Sequence, residues 1–315
     1  MLKIGNVTLE TNVLLAPMAG VTDYPFRTII RKFGKFLVFS EMIASQAMIR
    51  HVVRTKKMVD RLDDMTAIQI AGSDPDVMAE AAKISVDCGA RLLDINMGCP
   101  VKKIVNNYAG SALMKDERLA GRIMESVVRA VGVPVSLKTR LGWDSDHRNA
   151  VSMAKIAENS GIKMITIHGR TRSQMFNGKA AWDQVRATKD SVSIPVIVNG
   201  DINSPDDASK AVCESGCDGV MIGRGSVGSP WLLNMVDHRL NSAALVEFDR
   251  KALLQEHIQL MLEFYTQDNV YKLCRKVLLS YCKGFGGASA LRDKINRIDN
   301  LEDTMDVLQE ISRGI

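Results

Sequence analysis

Eight short apolar runs, most of them rich in β-branched residues, recur along the chain with helix-like segments between them. They lie at Val13–Ala16, Leu37–Phe39, Ala67–Ile70, Leu92–Ile95, Val135–Leu137, Met164–Ile167, Val196–Val198 and Val220–Ile222. Several are continuously apolar rather than alternating, which is typical of parallel strands that are covered on both faces. Eight such strands alternating with helices predict an α/β fold, the (β/α)8 TIM barrel, with a doubly wound open sheet as the alternative.

A polar or glycine-bearing segment stands at or just after the end of each run. These segments are Pro17-Met18, Ser40-Glu41, Gln69, Asn96, Lys138, His168, Asn199 and Gly223-Arg224. In a barrel, the C-terminal ends of the strands converge on one mouth, where active sites are built. Chance loop polarity explains any one of these residues but not the whole set, so we expect a functional site at that mouth.

The barrel pattern stops near Leu240, and a second pattern follows it. The chain has 315 residues, enough for a barrel of roughly 250 residues and a small further domain. Apolar residues recur at helical spacing at Leu253, Leu254, Ile258, Met261, Leu262 and Phe264. We therefore predict a barrel over 1–240, a linker over 241–247 and an all-helical domain over 248–315.

Hydropathy and cysteine usage narrow the class of protein. No apolar run reaches the roughly 18 residues that a membrane helix needs, and the N-terminus has no signal-peptide pattern. We expect a cytoplasmic protein without a membrane partner. The six cysteines include no C-x-x-C pair, which predicts reduced thiols and no metal site.

Basic residues are segregated, although the net charge is only +5. One set is Lys272, Arg275, Lys276, Lys283, Arg292, Lys294 and Arg297, with Asp293 as the single acid among them. A second set, Arg50, Arg54, Lys57 and Arg61, is spaced to give one helix a basic face. Charge runs are usually solvated faces, but beside a site for a nucleoside they favour contacts to phosphates.

Glycine loops after the seventh and eighth strands predict a phosphate site. These loops are Asn199–Asp201 and Gly223–Gly225, and in this barrel the corresponding loops usually bind phosphate. Glycines let backbone N–H groups approach the anion, and Arg224 adds positive charge. The alternative is a tight turn with an exposed arginine.

Three further strand ends suit a flavin ring. The Pro17–Ala19 segment offers a backbone platform, and Gln69 can donate and accept at the pyrimidine edge. Lys138 can stabilise the negative charge of the reduced ring. Taken singly, Gln69 could be a satisfied polar group and Lys138 half of an ion pair.

The segment Asp94–Pro100 puts a thiol, Cys99, on a loop shaped by glycine and proline after the fourth strand. An ordinary cysteine thiol is mostly protonated at neutral pH, so it can act as a general acid. A nucleophilic role competes, but no base is evident in the sequence. Cys88 is expected inside a helix, as a structural residue.

Together these segments resemble the tRNA-dihydrouridine synthases, and the bacterial DusB branch most closely. The segments that carry the resemblance are Ala16–Asp23, Gln69–Gly72, Asp94–Pro100, His168–Thr171, Asn199–Asp201 and Gly223–Gly225. They span the barrel in order, and Asn96–Pro100 is the most specific. The family's C-terminal helix commonly reads Arg-Lys-His, whereas here Val277 follows Arg275 and Lys276.

The resemblance implies an FMN-binding barrel joined to a helical tRNA-binding domain, with NADPH or NADH as reductant. The residues that would hold FMN are Pro17, Met18, Ala19, Gln69, Lys138, His168, Asn199, Gly200, Asp201, Gly223 and Arg224. Cys99 would be the catalytic proton donor, Asn96 would hold the target uracil, and Arg275 and Lys276 would contact tRNA. No obligate protein partner is evident, so we expect a monomer.

Two other functions remain open on the sequence alone. One is an FMN barrel that acts on a small pyrimidine, in the manner of a dihydroorotate or dihydropyrimidine dehydrogenase. The other is a tRNA-binding module without chemistry. The basic C-terminal segment argues against the first, and the presence of Cys99 and Lys138 argues against the second.

Overall fold

The computed structural model describes residues 1–50, 62, 65–265, 269–282 and 288–313. Four of the basic residues singled out in the sequence, Arg54, Lys57, Arg61 and Lys283, lie outside the described residues.

A barrel of eight parallel strands forms the centre of the molecule, as predicted. The strands are β3 (Val13–Leu15), β4 (Val38–Phe39), β6 (Thr66–Ala71), β7 (Leu93–Asn96), β8 (Val135–Arg140), β9 (Met164–His168), β10 (Val196–Asn199) and β11 (Gly219–Ile222). They are hydrogen-bonded in the order β3-β11-β10-β9-β8-β7-β6-β4. A single parallel bridge between Leu14 and Leu37 brings β4 back to β3, so the sheet is nearly closed.

Three short strands lie beyond the eight predicted ones. β1 (Leu2–Ile4) and β2 (Val7–Leu9) form an antiparallel hairpin, and β5 (Ile43–Ala44) pairs with the end of β6. Leu2, Ile4 and Leu9 belong to the same buried cluster as the lower barrel interior. The hairpin therefore closes the barrel at the end opposite the mouth.

The inward-facing positions change character along the barrel axis. The lower layer is apolar and includes Leu14, Phe39, Ala67, Leu92, Met164, Ile197 and Met221. Because side chains alternate along a strand, the next inward positions on β7 and β8 are Asp94 and Ser136, both fully buried. Above them, the mouth is lined by polar side chains. The polar mouth therefore rests on a packed apolar layer.

Helices surround the barrel and continue beyond it. They are α1 (Tyr24–Arg31), α2 (Ser45–Arg50), α3 (Pro75–Asp87), α4 (Lys102–Val105), α5 (Glu117–Ala130), α6 (Ala150–Asn159), α7 (Arg186–Lys189), α8 (Pro205–Ser215), α9 (Leu232–Asn241), α10 (Arg250–Phe264), α11 (Tyr271–Tyr281), α12 (Ala288–Arg297) and α13 (Leu301–Arg313). Asp74 accepts hydrogen bonds from Asp76 N and Val77 N, and Ser204 accepts one from Asp207 N. In the sequence, a capping residue ahead of proline predicts the start of a helix at Ser73-Asp74-Pro75, Ser204-Pro205 and Ser229-Pro230. The first two signals start α3 and α8 as predicted.

Two local predictions are wrong. The Ser229-Pro230 pair does not begin a helix, because α9 starts at Leu232 without a side-chain cap. Instead, Ser229 O accepts a hydrogen bond from Leu232 N within a turn. Cys88 is not inside a helix either, since it is the half-buried residue at the C-terminal cap of α3.

The C-terminal helices pack directly on the barrel. The rings of Tyr24 on α1 and Phe264 on α10 lie 5.5 Å apart, and Tyr265 Oη donates a 2.7 Å hydrogen bond to Asp23 Oδ2. Trp231 stacks on Phe248 at 4.9 Å. Across the residues that the structure describes, no helix is long and apolar enough to span a membrane.

Candidate active site

A cavity of about 390 Å³ opens at the C-terminal mouth of the barrel. The structure brings together in its lining Pro17, Met18, Ala19, Gln69, Asn96, Cys99, Lys138, His168, Asn199, Gly200, Asp201, Gly223 and Arg224. These residues come from seven loops or strand ends that are far apart in sequence. They converge because parallel strands in a barrel present their C-terminal ends to one side.

The loop after β10 is shaped by two residues with left-handed backbones. Gly200 has φ +113°, and a Cβ there would stand 2.9 Å from Ala180 Cβ and 3.2 Å from His168 Cε1. Asp201 follows with φ +54°, a conformation that aspartate tolerates better than most residues. Only glycine fits at position 200, so the backbone there stays open to the cavity.

Asp201 gathers two arginines beside this loop. Its Oδ2 atom lies 2.5 Å from Arg170 Nη2, and its Oδ1 atom lies 3.3 Å from Arg224 Nη2. Arg170 is almost completely buried, whereas Arg224 is more than half exposed. Asp201 Oδ2 also accepts the backbone N–H of Ala180. Arg224 therefore retains exposed donors for an anion, while Arg170 is held inside the protein by Asp201.

Lys138 lies on the cavity floor, where its Nζ atom donates a 3.0 Å hydrogen bond to Asn199 Oδ1. Asn199 is fixed in turn by its Nδ2 bond to Met221 O. Burial lowers the pKa of Lys138 to about 8, with a further contribution from Arg140. A negative charge brought next to this ammonium group would be stabilised strongly, because little water remains to screen it.

His168 is buried at the end of β9. Burial, helped by the positive charges of Lys138 and Arg140, holds the pKa of His168 well below its ordinary value. The imidazole is therefore neutral at physiological pH. Its Nδ1 atom has no hydrogen-bond partner among the residues that the structure describes. A bound group with a polar atom would supply the missing bond.

Cys99 is held by its backbone rather than by its sulfur. Its N–H donates to Asn96 Oδ1 at 3.0 Å, and its carbonyl accepts from Ser111 N and Ser111 Oγ. Gly110 approaches so closely that a Cβ there would lie 2.9 Å from Cys99 O. Within the described residues, nothing hydrogen-bonds to Cys99 Sγ, and the half-buried thiol lines the cavity. No base among the described residues hydrogen-bonds to the sulfur, and the charges that act on Cys99 are the cations Lys138 and Arg140, so a role as proton donor is open to the thiol.

Arg140 is a lining residue that the sequence reasoning missed. It is buried, and its guanidinium donates to the carbonyl oxygens of Gly98, Thr171 and Met175 at 2.7–3.0 Å. It thereby ties the loop after β7 to the loop after β9. The period-two alternation of β8 could have identified it, because it stands two residues beyond Lys138 and faces the same way.

Phe176 was also missed, and it forms part of the rim. It is half exposed, and its ring centroid lies 4.8 Å from the guanidinium carbon of Arg224 and 5.7 Å from that of Arg140. No regular pattern in the sequence marks this residue, because it lies in the long loop between β9 and α7.

Arg275 and Lys276 do not line the cavity. Arg275 is half-buried on α11, and its Nη1 atom donates to Ile298 O at 3.2 Å and to Asn296 O at 3.4 Å. It thereby satisfies carbonyl groups at the C-terminal end of α12. Lys276 is exposed. The surface role expected of this pair stays a prediction.

The fold is that of the α/β-barrel class of enzymes, and its C-terminal mouth carries the candidate active site. Residues 14–315 match the family model described as dihydrouridine synthase (Dus), so the chain belongs to that family. A probable tRNA-dihydrouridine synthase of Rickettsia conorii is 45% identical over 307 residues, which cover 95% of this chain and 93% of that protein. The tRNA-dihydrouridine synthase B of Pseudomonas aeruginosa is 42% identical over 308 residues, covering 95% and 92%. The resemblance inferred from the motifs is confirmed.

Solved structures agree on the fold. Histamine dehydrogenase from Rhizobium sp. 4-9 superposes with a TM-score of 0.57 at 14% identity. The match covers 82% of this chain, which spans about half of that longer one (50%). A 2-naphthoyl-CoA reductase gives a TM-score of 0.56 at 16% identity, covering 77% and 52%. At such low identity these matches bear on the barrel alone.

Proposed function

We propose that this chain reduces the 5,6 double bond of a uridine in tRNA to dihydrouridine. FMN is its bound cofactor, NADPH or NADH is the reductant, and Cys99 is the proton donor. The observation that carries this proposal is a free thiol in the same cavity as Lys138 and the loop Asn199–Asp201. The family membership and the names of the relatives support tRNA as the substrate.

The residues of the cavity fit FMN. The volume of about 390 Å³ is within the range of small-molecule sites. Gly200 leaves its backbone uncovered where any larger residue would collide with His168, and Arg224 adds an exposed guanidinium for the phosphate. The Nδ1 atom of His168 has no hydrogen-bond partner among the described residues, and a polar atom of the cofactor would supply one. Gln69, Lys138 and the Pro17–Ala19 segment would hold the ring system.

In this site FMN would supply, in its reduced form, the hydride for C6 of uracil. The 5,6 bond is conjugated with the C4 carbonyl, so the electron pair moves toward O4 as an enolate. Cys99 then gives its proton to C5, and the thiolate recovers a proton from solvent. Lys138 and Arg140 keep positive charge beside the cavity while the anions exist. Asn96 would hold the uracil through its amide.

The target base must leave the tRNA stack to enter the mouth, which costs a few kcal/mol. Contacts between basic residues and phosphates offset this cost. We assign those contacts to the helical segment 248–315, as a tRNA-binding domain beside a catalytic barrel over 1–240. Cytoplasmic location and a monomeric state complete the proposal.

The test is to map dihydrouridine in tRNA from cells with and without this protein. Loss of dihydrouridine at defined positions, restored by the wild-type gene but not by a Cys99→Ala gene, is the expected result. Unchanged dihydrouridine would refute the function. Reduction of free uracil or orotate by the purified protein would favour a small-pyrimidine oxidoreductase, and a protein without flavin would favour a binding module.

The first prediction concerns the cofactor. Purified protein should release FMN on heating, and Lys138→Ala should slow flavin reduction by NADPH by about 10²-fold, the usual worth of one charged donor at a developing anion. FMN content should change little, because the glycine loops remain. Anaerobic stopped-flow absorbance gives the rate.

Lys163→Ala is the matched control, since Lys163 is exposed and precedes β9 at the opposite end of the barrel. Only FAD or no flavin in the heat extract would contradict the site. So would a Lys138→Ala protein that is reduced as fast as wild type.

The second prediction concerns docking. Lys272→Glu with Lys276→Glu reverses two exposed charges on α11 while sparing Arg275, which holds α12. Affinity for tRNA should fall, and the slope of log K against log salt should drop by about two, one per lost phosphate contact. Binding is measured by fluorescence anisotropy at several salt concentrations.

NADPH oxidation by the bound flavin should be unaffected in this variant. Lys210→Glu, an exposed lysine on α8, is the control. An unchanged salt slope in the double reversal would remove this surface from the tRNA interface.

A further inference from the structure

A row of polar side chains runs inside the barrel from its middle layer to Cys99. Asp94 is fully buried, and its carboxylate oxygens accept 2.6 Å hydrogen bonds from Gln69 Nε2 and from Ser136 Oγ. Gln69 Oε1 accepts a bond of 2.8 Å from Asn96 Nδ2. Asn96 Oδ1 accepts the backbone N–H of Cys99 at 3.0 Å. The row therefore joins a buried carboxylate to the backbone of the thiol.

The carboxylate at the inner end decides which way both amides face. An ionised carboxylate only accepts hydrogen bonds, whereas a primary amide has a donor end and an acceptor end. Gln69 must therefore turn its NH2 group to Asp94 and its oxygen to Asn96. Asn96 must donate to Gln69, so its own oxygen faces the N–H groups of Gly98 and Cys99.

We propose that Asp94 is a positioning residue, which orients Gln69 and Asn96 and thereby holds Cys99 where its thiol can protonate the substrate. The last step rests on the proposed function, whereas the orientation of the row does not. Asp94 lies beneath the cavity lining and reaches Cys99 through the two amides, and its charge also favours the protonated form of Lys138.

The surroundings of Asp94 are consistent with a carboxylate. Burial raises the pKa of Asp94 to about 6, against the lowering effect of the bonds from Gln69 and Ser136 and of the charge on Lys138. At about pH 8 the group is therefore ionised and can only accept. A buried carboxylate is a costly way to hold two amides, which a neutral side chain could satisfy without fixing their direction.

Asp94→Asn removes this directional constraint while keeping the shape. The new amide can keep its oxygen toward Gln69, because Ser136 Oγ can accept from its NH2 group and donate to Leu93 O instead. It can also turn its NH2 group to Gln69 Oε1, which reverses Gln69 and Asn96 and leaves the NH2 group of Asn96 facing the backbone N–H of Cys99. In this reversed form the loop loses its acceptor. Hydrogen exchange proceeds through such a form even when few molecules adopt it.

The first measurement is hydrogen exchange at the Gly98 and Cys99 amides, followed by mass spectrometry of the FMN-loaded protein at about pH 8. Asp94→Asn should speed their exchange about tenfold, since each loses its acceptor. Ser136→Ala is the matched control. It removes the other hydrogen bond to the same carboxylate but leaves an acceptor-only group facing Gln69, so exchange should stay as in wild type.

A second change at the outer end tests the path. In Asp94→Asn with Asn96→Asp, one carboxylate oxygen of residue 96 accepts from Gln69 and the other accepts from the loop. Exchange at Cys99 should return to the wild-type rate. If Asp94→Asn does not retain its fold, Gln69→Met cuts the row between Asp94 and Asn96 and should speed the same exchange.

The second measurement is reoxidation of reduced flavin by tRNA in a single turnover. Asp94→Asn should slow it to the extent that the reversed form is populated, because the thiol is misplaced in that form, and Ser136→Ala should not slow it. Wild-type exchange in both Asp94→Asn and Gln69→Met, or no rescue by the double change, would overturn the proposal. If exchange responds as stated but Cys99→Ala reduces tRNA normally, the row stands and the proposed role of Cys99 fails.

Discussion

Replacing Cys99 with alanine is expected to slow the reoxidation of reduced flavin by tRNA by about 10²–10⁴-fold, the usual contribution of a positioned general acid. The thiol lines the cavity, and its sulfur makes no hydrogen bond to any described residue. The neighbouring His168 is neutral and therefore a poor acid, and Lys138 is directed toward Asn199, so we expect neither to replace the thiol at C5. FMN content and reduction by NADPH should be retained, because that half-reaction needs no proton on uracil.

The measurement is an anaerobic single turnover in which the flavin is reduced first and unmodified tRNA is then added. Flavin absorbance reports the rate, and digestion of the tRNA reports dihydrouridine. Cys88→Ala is the control, since Cys88 caps α3 away from the cavity lining. Reoxidation near the wild-type rate, with dihydrouridine formed, would remove Cys99 from the mechanism and leave His168 or a held water as the acid.

Asp201→Ala should destabilise the fold by about 3 kcal/mol, the lower end of the range for breaking a buried ion pair. Arg170 is only 2% exposed and would lose its carboxylate, although it keeps bonds to Asn177 O and Gly178 O. The N–H of Ala180 would lose its acceptor as well. FMN content should fall in parallel, because Arg224 and the Gly200 loop lose their common anchor.

Urea unfolding gives the free energy, and heat release gives the flavin content. Asp201→Asn should lose less stability, since asparagine tolerates the left-handed backbone and still offers an oxygen. Glu10→Ala breaks a pair whose side chains are both more than two-thirds exposed, so it should cost less than about 1 kcal/mol. An Asp201→Ala protein as stable as Glu10→Ala would contradict the buried pair.

Much of the barrel could be predicted from the sequence, because strands buried on both faces have a distinctive composition. Each of the eight predicted runs corresponds to a strand of the barrel, with ends displaced by at most three residues. The hairpin of β1 and β2 was missed even though it carries a signal. Alternating apolar residues flank Gly5-Asn6, and the turn places Gly5 at φ +59°.

For the candidate site, the sequence indicates which residues come together but not which atoms they contact. Residues at strand ends could be predicted to converge, because a barrel has one mouth. Partners could not be predicted, since the bond of Asn96 to Gln69 and that of Arg140 to Gly98 depend on strand register and loop shape. Periodicity gives the direction of a side chain but not the atom that it meets. For this reason the sequence assigns no role to Asp94 or Arg170, although both lie within the recognised motifs.

The hydrogen bond from Tyr265 to Asp23 links the residue that follows α10 to the residue that precedes α1. Asp23 also caps α1 through Phe26 N, and it directly follows the loop that lines the cavity at Pro17–Ala19. The C-terminal helices are thus not an interchangeable module. A chimera that takes them from a relative to redirect tRNA choice must keep Tyr265 and the packing of Phe264 on Tyr24, or it will disturb cofactor binding. Under the proposed assignment of tRNA contacts to this segment, substitutions that change tRNA choice are expected on the helix faces turned away from α1.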